Sequence, residues 1–156
     1  MKTEPSLSDR EIISVRVFDF PVGSLWNAWA DPALLAEWWG PDGFTNTFEE
    51  FNFRPGGHWR FVMHGPDGTN YPNHSVFSEI HPQQRIVFDH VCEPFFQVTA
   101  TFQPEDGRTR LTFRMLFETA EVCAQVKVYA VDCNEQNFNR LQVVLKTTSN
   151  KQSHVD

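Results

Sequence analysis

Apolar and polar residues alternate from the first regular stretch of the chain. In "EIISVRVFDF", Glu11 to Phe20, the apolar Ile13, Val15 and Val17 fall on one face and Ser14 and Arg16 on the other. A period of two is that of a strand with one face on a core, and the expected core side is that of Ile13, Val15 and Val17. Pro21 breaks the strand, and the period changes. Val22, Leu25, Trp26 and Trp29 recur at helical spacing and predict a short helix. A second short helix is predicted over "DPALLAEWWGP", where Asp31 can cap free N–H groups, Pro32 suits the first turn and Gly40-Pro41 ends it. Consecutive helical residues point about 100° apart, so Trp38 and Trp39 cannot share a task. Trp38, one turn after Leu34 and Leu35, is expected to anchor the helix to a sheet, leaving Trp39 toward a pocket mouth or solvent.

From Phe44 to Phe117 the period of two returns, punctuated by the turns "RPGG", "GPDG" and "PEDGR". "HWRFVMH" places Trp59, Phe61 and Met63 on one face, and "TRLTFRMLF" does the same for Leu111, Phe113, Met115 and Phe117. Short strands joined by tight turns form antiparallel hairpins. From Ala120 to about Lys146 there is no Gly or Pro, and Val122, Val126, Tyr129, Ala130, Cys133, Leu141 and Val144 recur at helical spacing. The order is strand, two short helices, about six strands, long helix. It predicts an α+β domain over residues 11–147, a curved antiparallel sheet of about seven strands around a long C-terminal helix. Residues 1–10 are expected to be a flexible lead-in and 148–156 a disordered tail. One helix cannot fill so wide a concavity, and the unfilled volume is expected to form a pocket.

Composition narrows the functional classes. The 15 Phe and 5 Trp among 156 residues make a bulky, ring-rich interior. A net charge of -7, with 13 scattered Lys and Arg, gives no basic face for nucleic acid. No apolar run is long enough to span a bilayer, and the polar N-terminus lacks the apolar core of a signal peptide, so a cytoplasmic location is expected. Cys92, Cys123 and Cys133 form no CxxC and are expected to be reduced thiols.

Candidate chemistry is sparse. His58, His64, His74, His81, His90 and His154 include no pair at metal-ligand spacing, and neither a metal nor a cofactor is expected. His58 and His64 lie opposite Trp59 and Phe61, on the solvent side, whereas His90 shares a strand face with Ile86 and Phe88. Ser75 and Ser78 are not in a GxSxG elbow, and "RPGGHW" lacks the spacing of a phosphate loop. Asp19, Asp31, Glu37, Glu49, Glu50, Asp89 and Glu93 read as solvated or capping groups. No catalytic constellation emerges, and a non-catalytic role is favoured. The polar run "DCNEQNFN", Asp132 to Asn139, interrupts the long helix. It puts Asn134 and Asn137 at the edge of the apolar stripe, either as a polar handle in the pocket or in water.

The stretches "LWNAWADPALLAEWWGPDGF", "FRPGGHWRFVMHGPDGTNYPN", "IHPQQRIVF" and "TRLTFRMLF" together resemble one family. It is the domain family similar to the activator of Hsp90 ATPase, in the Bet v 1-like (START-like, SRPBCC) superfamily. The resemblance covers Ile12 to Leu145 and implies the helix-grip fold. It also implies a cavity between sheet and helix, in which relatives in the superfamily hold lipids, sterols or polyketides. Some relatives are cyclases or hydrolases, and the namesake binds a chaperone. One departure stands out: relatives carry Gly-Trp in the last helix where this chain has Cys133-Asn134. Aromatic strand faces opposite an interrupted apolar helix lead us to expect Trp39, Trp59, Phe61, Met63, Phe77, Phe88, Phe113, Tyr129, Cys133, Asn134 and Asn137 around a small apolar or aromatic ligand. The alternatives are a protein-interaction module resembling the chaperone activator, and a cyclase- or hydrolase-like enzyme using pocket acids or His90. A homodimer is compatible with the sequence.

Overall fold

β1 (Glu11–Phe18) leaves a 3-10 turn at Leu7–Arg10 and leads through Pro21 into α1 (Val22–Ala30) and α2 (Pro32–Trp38). The structure, a computed structural model, describes residues 7–155. The expected lead-in lies outside the described residues as far as residue 6. Asp31 separates the two short helices, and its Oδ1 accepts from the Ala33 N–H at 3.0 Å. Pro32 sits in the first turn, where its missing N–H would have had no intrahelical partner.

Six more strands follow: β2 (Thr45–Phe51), β3 (His58–His64), β4 (Asn70–His81), β5 (Arg85–His90), β6 (Phe96–Glu105) and β7 (Arg108–Phe117). All neighbours pair antiparallel, in the order β1-β7-β6-β5-β4-β3-β2. Register shifts at Phe48/Glu50 and Phe77/Glu79 place an extra residue in β2 and in β4. Such bulges bend a strand and increase its twist, and the sheet curves around α3 (Ala120–Val155). This is the helix-grip α+β architecture. The backbone of α3 continues to Val155, through most of the stretch where composition predicts a tail.

Two faces differ from the periodicity reading. In β1 the core side is that of Ile12, Ser14 and Phe18, while Ile13 is 53% and Val15 43% exposed. The cause is non-local, because the inner face of β1 meets polar residues of α3. Arg16 Nη1 donates to Asn139 Oδ1 at 2.8 Å, Arg16 Nη2 pairs with Glu135 at 2.7 Å, and the guanidinium lies over the Phe138 ring. In α3 the buried stripe is Cys123, Val126, Ala130, Asn134, Phe138, Leu141, Val144 and Leu145. It is rotated by one residue from the expected stripe, so Tyr129 is 56% exposed on the outer face and Cys133 sits at the edge.

Candidate functional site

The segment from Trp39 to Phe44 passes from α2 to β2 as a strap lying against α3. Trp38 is buried and its Nε1–H donates to the Ala28 carbonyl at 3.0 Å, which ties α2 to α1. Trp39 points instead into the concavity, with its ring centroid 5.1 Å from Trp59 and 6.2 Å from Phe88 and Phe113. Gly40 follows with φ +100°, a conformation that disfavours any side chain.

Three residues of α3 hold this strap. The Gly40 N–H donates to Asn137 Oδ1 at 2.7 Å, and the Asp42 N–H to Gln136 Oε1 at 3.0 Å. Arg140 donates from Nη1 to the carbonyls of Trp39 (3.3 Å), Gly40 (2.7 Å) and Pro41 (2.9 Å). Its Nη2 donates to those of Glu37 and Phe44, both at 2.9 Å. A planar guanidinium with a fork of fixed donors can serve several acceptors at once, as an ammonium cannot. Burial pushes the Arg140 pKa down from its ordinary value, and the nearby Asp42 carboxylate opposes this.

Behind the strap lies a cavity of about 160 Å³, between the concave sheet face and α3. Its apolar wall is formed by Trp39, Trp59, Phe61, Met63, Phe88, Phe96, Val98, Phe113 and Met115, with Gly40 and Pro41 closing one side. Asn73, Ser75 and His90 supply polar groups from the sheet, and Asn134 and Asn137 from the helix. Asn134 Nδ2 donates to Ser14 Oγ at 3.3 Å and approaches Met115 Sδ at 3.7 Å. The open alternative about the two amides therefore resolves toward the pocket. Trp59 Nε1 is buried in the wall without a hydrogen-bond partner.

Of the residues expected around the cavity, Trp39, Trp59, Phe61, Met63, Phe88, Phe113, Asn134 and Asn137 meet there. Phe77 stands one layer back, packed on Phe51, Phe53 and Trp59. Tyr129 and Cys133 are placed elsewhere by the rotation of α3.

Asn73 and Arg140 carry no local sequence signal for this site, and Ser75 lies in no GxSxG elbow. His90 is buried, with Nδ1 2.8 Å from the Pro94 carbonyl and Nε2 2.9 Å from Asn73 Oδ1. Burial pushes its pKa below the usual histidine value, opposed by backbone hydrogen bonds to Pro94 and Cys92. Ser75 pairs directly opposite His90 across β4 and β5, which sets both on the inner face. Among the described residues no group of three or more His, Cys, Asp or Glu is placed to hold a metal ion, and no helix is long and apolar enough to cross a membrane.

Residues 19–146 match the family model described as Activator of Hsp90 ATPase homolog 1-like protein. The chain belongs to that family. Among solved structures it is similar to a protein from Arthrobacter aurescens, at 26% identity and a TM-score of 0.84, with 92% of this chain and 90% of that one covered. A protein from Mycobacterium smegmatis is also 26% identical, with a TM-score of 0.81 over 95% of this chain and 98% of that one. The AHSA1-like protein from Aeromonas hydrophila shares the fold at 18% identity, with a TM-score of 0.73 over 89% and 94% of the two chains. No curated protein matches the chain. Asn134, from the interrupted part of α3, brings an amide into the cavity.

Proposed function

We propose that this Activator of Hsp90 ATPase homolog 1-like protein binds a single-ring aromatic molecule carrying one hydrogen-bonding group. The observation that carries the reading is the size and lining of the cavity. An apolar cavity of about 150 Å³ holds one benzene, whereas drug-sized ligands need about 300–1,000 Å³. At about 160 Å³ the cavity takes one ring and leaves no room for a sterol or a lipid chain. Its rings offer faces and edges to another ring. The amides of Asn134 and Asn137 and the Ser75 hydroxyl offer the hydrogen bonds that orient a polar substituent.

Phenol is a suitable probe, and benzene the control lacking the hydroxyl. Phenol should raise the thermal midpoint in a saturable manner, as a ligand that binds only the folded state must. Benzene should raise it less at equal concentration. Val98→Phe, which fills the cavity from β6, should remove both effects. A midpoint unmoved by phenol up to its solubility limit, or moved equally in the Val98→Phe protein, would refute the reading.

A second reading is a protein-interaction module like the family's namesake. It is favoured by apolar side chains on the outer face of α3, where Val128 is 84% exposed and Val143 and Tyr129 are also open to solvent. Stimulation of the ATPase of an Hsp90-class chaperone by the chain, lost in Val128→Asp, would support it. An ATPase rate unchanged at saturating protein would remove it.

A further inference from the structure

We infer that Cys92 and His90 form a nucleophilic pair beside the cavity, and that Cys92 takes up small α,β-unsaturated carbonyl compounds as covalent adducts. The inference rests on the single-ring reading only for the size of the electrophile. His90 Nδ1 donates to the Pro94 carbonyl at 2.8 Å, so the neutral ring carries its lone pair on Nε2. Facing Nε2 are Asn73 Oδ1 at 2.9 Å and Cys92 Sγ at 3.5 Å. Asn73 Nδ2 is committed to the Tyr71 carbonyl at 2.9 Å, which turns Oδ1 to the imidazole. Of these two neighbours only the thiol has a hydrogen to give. Once Nε2 is protonated it finds Asn73 Oδ1, and both ring N–H groups are then matched. The Pro94 carbonyl and Asn73 Oδ1 thus give each N–H of the imidazolium that thiol deprotonation creates an acceptor, against the burial that holds the ring's pKa down.

The site also has room beside it. His90 stacks on Phe96, with ring centroids 4.5 Å apart, and this pair lines both the inner cavity and an outer groove of about 330 Å³. Cys92 is partly exposed. In the reaction, the Cys92 thiol passes its proton to His90 Nε2 as Sγ bonds to the β-carbon. The alkene pair moves onto the carbonyl oxygen as an enolate, and Nε2–H returns the proton to the α-carbon. One C–S bond forms, no group leaves, and no oxidant or reductant is required.

The test treats the intact protein with 2-cyclohexen-1-one and follows adducts at each cysteine by peptide mass spectrometry. Cys123 and Cys133 are internal controls, since burial pushes both thiols up. Cys92 should react about tenfold faster than Cys133, and His90→Gln should bring it down to the rate of Cys133. Equal rates at Cys92 and Cys133 in the native protein, with iodoacetamide as well as with cyclohexenone, would overturn the pair, a comparison that needs no variant to fold. An unchanged Cys92 rate in a folded His90→Gln protein would do the same. Iodoacetamide, which has no ring, separates the two readings: selectivity for Cys92 with iodoacetamide but not with cyclohexenone upholds the pair and refutes the uptake of a ring-sized electrophile there.

Discussion

His90 carries more of the site's chemistry than any other single residue. It is the titratable group in the cavity wall, and burial is the first cause of its lowered pKa. A histidine depressed in the native state binds fewer protons there than in the unfolded chain. Its contribution to stability is therefore full above the unfolded value, about 6.5, and is lost as pH falls from there through the native value. Urea midpoints measured from pH 8 to pH 5 should decline below about 6.5, and His90→Gln should flatten that decline. A decline of equal steepness in the variant would assign it to other groups. Asn134 works differently, without a charge: it is buried because Ser14 and Met115 offer partners, and leaving such an amide unmatched costs about 1–3 kcal/mol.

At the scale of elements, the strap from Trp39 to Phe44 depends on α3. Arg140 serves four of its carbonyls, from Trp39 to Phe44, and that of Glu37 in α2. Arg140→Gln keeps a polar side chain but removes the forked cation, and should destabilise the fold by about 1–3 kcal/mol as partly buried carbonyls lose charged donors. A urea midpoint within error of the wild type would show that the strap holds without it. Much of this level was legible in the sequence. The cap at Asp31, the stop at Gly40 and the inward faces of β3 and β7 follow from local chemistry, and so does the divergence of Trp38 and Trp39. Trp38, however, anchors to α1 and not to the sheet, and Trp39 is the one that packs on sheet rings. The face of β1 did not follow, because both of its faces carry apolar residues and the choice is made by Asn134, Glu135 and Asn139 on a distant helix. For the same reason Arg140 gave no signal, since the carbonyls it serves lie about a hundred positions away. Cys92 lies just past the end of β5 at His90, two positions on, so closeness in sequence could have joined them. Asn73 becomes their neighbour only when β4 pairs with β5.

At the scale of the molecule, the open sheet and the single long helix leave an interior whose remaining volume is that of one ring. Large side chains set this limit: Trp39, Trp59, Phe88 and Phe113 occupy much of the concavity. The size limit is as much a part of the site as its polarity. It is tested most directly by NMR of the Trp indole and His90 imidazole signals during titration with phenol and, separately, with oleate. Saturable one-to-one shifts with phenol at Trp39, Trp59 and His90, and none with monomeric oleate, are expected. Shifts with oleate that exceed those with phenol, or no saturable response to phenol, would contradict the account.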